Sequence, residues 1–237
     1  MREEIVVGRL AALIVGLLVA VAVVTPAPSP SASESPYRTT SFDFRVNHVA
    51  VIGDSYTTGT DEGGLGPNAW TARAWQQLAQ RGTRVHADVA AEGRAGYAAV
   101  GDHGHVFFDL TANAVKPEDV LVMFFGSRND QGVDPGLLTD RVRDTLDRAR
   151  GLAPSARLLV IGPPWPSADV PQEISRIRDI LHAAARAVDA EFVDPLDRRW
   201  FVDRPDLIGA DGVHPTDTGH AYMARKIAPL VRTQLSR

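Results

Sequence analysis

Residues 120–161 read VLVMFFGSRNDQGVDPGLLTDRVRDTLDRARGLAPSARLLVI. Residues 120–125 form an apolar run too short for a buried helix. Lys116-Pro117-Glu118-Asp119 precedes it and Gly126 follows it, so it reads as a buried strand. Residues 137–152 set Leu138, Val142, Leu146 and Ala149 on one face, the spacing of an amphipathic helix. Residues 157–161 (RLLVI) are a second apolar strand, broken by Gly162-Pro163-Pro164. Strands that are apolar on both faces, joined through a helix, belong to a parallel sheet covered on both sides.

The same alternation extends in both directions. Residues 48–52 (HVAVI), 84–90 and 191–193 read as further strands. Residues 69–80 carry Trp70, Ala74, Trp75 and Leu78 at helical spacing, with Gly82 as a stop. Residues 172–188 carry the stripe Ile174, Ile177, Leu181 and Ala184, and 218–235 closes the chain as a helix with a kink expected at Pro229. Five strands alternating with helices imply an α/β fold, a three-layer α/β/α sandwich with right-handed crossovers. In such sheets functional groups gather at the carboxyl ends of the strands.

Composition narrows the chemistry. The chain has 237 residues, 44% hydrophobic and 23% charged, which excludes a disordered chain and a multi-span membrane protein. Its formal net charge of −4 speaks against nucleic-acid binding, which needs a basic face. Cysteine is absent. Disulfides, Cys-ligated zinc, iron–sulfur clusters, thiol catalysis and a lipidated N-terminal Cys are therefore excluded.

Three segments follow from these patterns. Residues 10–24 are apolar after Arg2 and Arg9, and Thr25-Pro26 ends the run. Residues 1–24 read as a signal peptide, with Ala20-Val21-Ala22 as a cleavage site, or as a membrane anchor through residues 5–24. Both place the remainder outside the cytoplasm, secreted or tethered to the cell membrane. Residues 25–44 begin TPAPSPSASESP, a Pro/Ser-rich linker. Residues 45–237 are the folded domain.

Polar clusters stand at strand ends. Gly53-Asp54-Ser55-Tyr56-Thr57 follows the first strand, where Ser55 can present a hydroxyl and Asp54 or Ser55 can equally cap a helix. Gly126-Ser127-Arg128-Asn129-Asp130 follows the strand at 120–125, and the Asn129 amide can donate to a developing oxyanion. Ala91-Glu92-Gly93-Arg94-Ala95-Gly96 ends the second strand, and its glycines can turn a backbone N–H toward the same place. Asp211-Gly212-Val213-His214-Pro215 precedes the last helix. Asp211 there can accept the His214 imidazole N–H and set its tautomer, or the loop can simply be solvated with Thr216 or Asp217 as helix cap.

Ser, Gly, Asn and the Asp/His pair occur in that chain order, and in this the sequence resembles the SGNH (GDSL) hydrolase family from about Val46 onward. Ser55 matches the block I serine, Gly93 (with Gly96 as the alternative) the block II glycine, Asn129 the block III asparagine, and Asp211 and His214 the block V pair. Two departures stand out: Tyr56 replaces the leucine of the family's name, and Ser127-Arg128 lengthens the usual Gly-x-Asn-Asp by one residue.

The resemblance implies a flavodoxin-like parallel sheet of strand order 2-1-3-4-5. It also implies ester hydrolysis by a Ser55–His214–Asp211 triad, with an oxyanion hole of Ser55, Gly93 and Asn129. No cofactor and no metal are implied. The expected substrate is a small-molecule or glycan ester, with a short acyl group on a polar alcohol or sugar. A lipase or O-acyltransferase on the same fold, or a surface binding module with a dead site, are the alternatives.

Other motifs carry less. His103 and His105 have a His-x-His spacing but no acidic partner motif for a metal. The glycines of residues 61–66 do not join a strand to a helix, so no dinucleotide fingerprint is present, and no Gly-x-Ser-x-Gly elbow occurs. Asp194 and Asp197 read as solvated loop residues, and Trp165, Trp200 and Phe201 as core or rim aromatics.

Overall fold

A computed structural model describes residues 45–237. The segments read as signal peptide or anchor and as linker, 1–24 and 25–44, lie outside the described residues. Five parallel strands form one sheet: β1 (Val46–Gly53), β2 (Arg84–Ala91), β3 (Leu121–Phe125), β4 (Arg157–Ile161) and β5 (Glu191–Val193). Their order is β2-β1-β3-β4-β5, as the resemblance implies. Six helices accompany them: α1 (Ser55–Thr58), α2 (Trp70–Ala79), α3 (Phe107–Ala114), α4 (Pro135–Leu152), α5 (Gln172–Ala187) and α6 (Asp217–Leu235).

The period of two along each strand divides the core into two layers. Ala50, Ile52, Val122, Phe124, Leu158 and Val160 face α3, α4 and α5. Val49, Val51, Leu121, Met123, Leu159 and Ile161 face α2 and α6. These twelve side chains are at most 2% exposed. Burying each large aliphatic one is worth about 1.5–3 kcal/mol, and the polar residues of the inner strands, Asn47, His48 and Arg157, stand at their amino ends, outside these layers. β2 lies at the sheet's edge and is only half-buried, so its sequence mixes Arg84, His86 and Asp88 with apolar residues.

Most element boundaries agree with the sequence reading within two residues. One element differs. The sequence reading assigns nothing between Ala91 and Val120, whereas α3 occupies Phe107–Ala114 and crosses the sheet between β2 and β3. Its buried residues Phe107, Leu110, Thr111 and Ala114 do follow helical spacing, but over only eight residues. The Asp109 carboxylate accepts from the Val106 N–H at 3.1 Å, which starts the helix without a Ser, Thr or Asn cap. The buried stripe of α5 ends on Ala185 rather than Ala184, and α6 runs continuously through Pro229.

The crossover from β2 to β3 passes over β1, so the sheet switches winding direction between β1 and β3. The carboxyl ends of these two strands therefore flank a crevice.

Candidate active site

β1 ends at Gly53, and the chain turns at once into α1. The Asp54 carboxylate accepts from the Tyr56 N–H at 2.9 Å, and the Asp54 carbonyl accepts from Thr57 and Thr58. Asp54 is thus the N-cap, and Ser55 stands on the first turn. Gly53 must lack a side chain here, because a Cβ would lie 2.2 Å from the Thr57 hydroxyl. The capping and nucleophile readings of this cluster are compatible: one residue caps, the next is presented.

Burial pushes the Asp54 carboxyl up to about 7, against the Tyr56 N–H and the nearby Arg128 charge, which pull it down. Asp54 is 2% exposed and immediately precedes Ser55.

The loop before α6 folds around Asp211. One carboxylate oxygen accepts from the Val213 and His214 N–H groups at 2.8 and 2.9 Å. The other lies 2.5 Å from His214 Nδ1. Gly212, at φ 70°, allows the tight turn. Burial would raise the Asp211 pKa, but the two N–H groups and the imidazole outweigh it and hold it near 2. On its far side, His214 Nε2 lies 3.0 Å from Ser55 Oγ. Carboxylate, imidazole and hydroxyl are in one line. Such a line can pass the hydroxyl proton to the imidazole while the carboxylate steadies the resulting cation.

Ser55 and His214 open onto a cleft of about 510 Å³, which Gly93 and Asn129 also line. Gly93 makes no N–H bond to any described residue. Asn129 Nδ2 donates to the Ala95 carbonyl at 2.9 Å, which fixes the amide against the β2–α3 connection. Gly96 lies deeper. Its N–H bonds Ala99 and its carbonyl accepts from Phe107, and it does not border the cleft. A second, mostly apolar groove of about 390 Å³ lies between α4 and α5, and holds no nucleophile–base pair.

Three polar supports escape sequence reasoning. Asp130 is 1% exposed and accepts from the Tyr97, Ala98 and Ala99 N–H groups at 2.8–3.0 Å. Glu92 accepts from the His103 and His105 N–H groups and from His105 Nδ1. His105 is thereby a loop tie, and no metal-binding cluster occurs among the described residues. Arg128 borders the cleft and lies over Trp165, its Cζ 4.3 Å from the ring centroid. A buried carboxylate drawing several amides leaves no local pattern in sequence, since its partners are more than ten positions away.

The remaining motifs are structural. Trp200 and Phe201 are core residues, 1% exposed. Asp194 pairs with Arg178 at 2.8 Å. Gly64 donates to Asp217 and packs against the His220 ring, tying the glycine loop to α6.

Residues 51–222 match the family model described as GDSL-like Lipase/Acylhydrolase. The chain belongs to the GDSL-like lipase/acylhydrolase family. A GDSL lipase of Mycobacterium tuberculosis (strain ATCC 25618 / H37Rv), Rv0518, is 67% identical over 202 residues, covering 84% of this chain and 87% of the relative. Membership makes the protein a serine ester hydrolase. Solved structures share its fold. The psychrotrophic esterase EstA from Pseudoalteromonas sp. superposes with a TM-score of 0.64 at 13% identity, covering 81% of this chain and 100% of that one. Est24, a carbohydrate acetylesterase from Sinorhizobium meliloti, gives 0.58 at 17%, covering 79% and 99%. In this GDSL hydrolase the lengthened third block is accommodated by a 3₁₀ turn at Arg128–Asp130.

Proposed function

We propose that this hydrolase is an exported esterase that cleaves short acyl groups from a polar alcohol or sugar, using Ser55, His214 and Asp211 as its triad. The observation that carries the reading is the 3.0 Å approach of His214 Nε2 to Ser55 Oγ, with Asp211 on the opposite ring nitrogen. Ser55 Oγ attacks the ester carbonyl carbon as its proton passes to His214 Nε2. Asp211, held ionised near a pKa of 2, stabilises the imidazolium. The oxyanion is received by the Ser55 and Gly93 N–H groups and by Asn129, whose amide has a second proton besides the one given to Ala95. His214 returns its proton to the leaving alcohol, and water repeats the sequence on the acyl-enzyme. Asp54 serves as the cap of α1, its carboxylate accepting from the Tyr56 N–H.

The cleft lining favours a polar substrate. It includes Thr58, Thr60, Arg94, Asp102, His103 and Arg128, and no Leu, Ile or Phe. Of the three aromatics that could offer an apolar groove, Tyr56 and Tyr97 are at most 2% exposed, and Trp165 is half-buried under Arg128 and does not line the cleft. A lipase would need a slot in which each buried CH₂ contributes about 0.8 kcal/mol.

A fluorophosphonate should label Ser55, and Ser55→Ala should abolish both labelling and ester hydrolysis in a protein that melts like the parent. Undiminished turnover by that variant would end the proposal. Export rests on the apolar run of residues 10–24 after Arg2 and Arg9. Full-length chain in the cytosolic fraction of the native cells would overturn it.

A further inference from the structure

Tyr56 directly follows Ser55, and Val213 directly precedes His214. The Tyr56 hydroxyl donates to the Val213 carbonyl oxygen at 2.6 Å, across 157 positions of sequence. The residue is 2% exposed. Its ring stands edge-on to Phe125 and Phe201, with centroids 6.3 and 6.2 Å away, and lies 6.3 Å from the His214 imidazole. Packing on these sides leaves the phenol little freedom to turn its oxygen elsewhere. Burial pushes the phenol up to about 12, so the oxygen keeps its proton and remains a donor at any working pH.

The loop that carries His214 is otherwise held mostly by itself. Asp211 takes the Val213 and His214 N–H groups, and Gly209 N–H bonds the His214 carbonyl. Two ties reach in from outside: Glu62 at Ala210, on the far side of Asp211 from the imidazole, and Gly64 with Asn68 at Asp217, three residues past His214 in α6. These bonds set the shape of the loop. They do not set its distance from Ser55. The Tyr56–Val213 hydrogen bond does, because each partner is one residue from a reacting group.

We infer that Tyr56 is a positioning residue that ties the segment bearing His214 to the segment bearing Ser55 and so maintains the Oγ–Nε2 separation. The inference rests on the triad reading above. It also gives a reason for the departure from the family's name-giving motif: a leucine at this position would pack, but it cannot donate to Val213. Without the hydroxyl the Val213 carbonyl loses its donor, and His214 drifts from the serine while the cleft that binds substrate stays in place. The loss should therefore fall on kcat rather than on KM.

Tyr56→Phe tests this, because it removes one oxygen and keeps the ring between Phe125 and Phe201. The expected result on p-nitrophenyl acetate is a fall in kcat of about 10- to 100-fold, the range for a small misplacement of a catalytic group. KM should stay within about twofold, since uniform substrate binding is untouched. Fluorophosphonate labelling of Ser55 should slow by the same factor as kcat, with the melting temperature close to the parent's. A folded Tyr56→Phe variant with parental kcat and labelling rate overturns the inference, as does a loss confined to KM. Ser55→Ala assayed alongside keeps the two ideas separate. If it retains activity, the triad reading fails; if it is inactive while Tyr56→Phe is normal, only the strut fails. Should Tyr56→Phe not fold, a series of fluorotyrosines at position 56 keeps the ring and grades the acidity of the donor. A kcat that does not vary along that series overturns the proposal.

Discussion

Asn129 shows how much one side chain can be asked to do. Its amide is fixed by the Ala95 carbonyl and lines the cleft beside Ser55. A donor whose strongest bond forms only in the transition state should affect kcat more than KM. Asn129→Ala is expected to lower kcat about 10²–10³-fold with little change in KM. A pure KM effect in steady-state assays would make Asn129 a substrate-binding residue instead. Asp54 poses a different question. Its pKa lies near 7 in the folded protein against an ordinary 3.8. Below 3.8 both folded and unfolded chains hold the proton, and the residue's contribution is complete. Between 3.8 and about 7 the unfolded chain releases its proton while the folded one keeps it, so stability falls as pH rises through this window. Above it the loss levels off at a few kcal/mol, on the order of a three-unit shift. Asp54→Asn retains an oxygen for the Tyr56 N–H and cannot titrate. Thermal melts across this pH range should show a flatter profile and a higher melting temperature at the alkaline end; an unchanged profile would show that burial does not hold the proton.

The turns after β2 and β3 depend on one another. Asp130, at the end of the 3₁₀ turn, draws in the three consecutive N–H groups of residues 97–99. Together with the Asn129–Ala95 bond, this carboxylate holds one turn against the other. Asp130→Ala leaves those amides without an acceptor, at about 1–3 kcal/mol for each that water cannot reach. A marked fall in melting temperature is expected, together with reduced kcat/KM, because Asn129 and Gly93 lose their mutual register. Parental stability would show that water satisfies all three. Of the regular elements, α2, α4 and α5 were legible because each repeats its apolar stripe over ten or more residues. α3 was not, because eight residues give barely two turns and its N-cap is a valine. Its helical state is decided by Phe107 and Leu110 docking on the sheet.

The cleft as built selects by polarity and size. Its lining is drawn from loops after β1, β2 and β3 and from the loop before α6. None of these contributes a Leu, Ile or Phe, and Val213 is the largest aliphatic side chain in the lining. Across p-nitrophenyl esters from acetate to palmitate, kcat/KM should peak among the short chains and decline beyond them. A value that climbs steadily with each added CH₂ would require an apolar slot and favour a lipase.

The residues alone determined the fold class and pointed to most of the candidate site. Apolar runs bounded by turns specify buried parallel strands, since only a sheet covered on both faces removes such runs from water. Ser55, Asn129, Asp211 and His214 were legible because each stands in a short polar cluster at the end of an element. Tertiary structure alone decided which of two glycines borders the cleft: Gly93 lies open beside Ser55, and Gly96 is enclosed by Asp130 and Ser127. It alone joined Tyr56 to Val213, Asp130 to residues 97–99, and Glu92 to the two histidines of the His-x-His spacing. The physical reason is common to all of them. A hydrogen bond between groups from eleven to more than a hundred residues apart leaves no periodicity in the chain, and comes into being only when the fold brings its loops together.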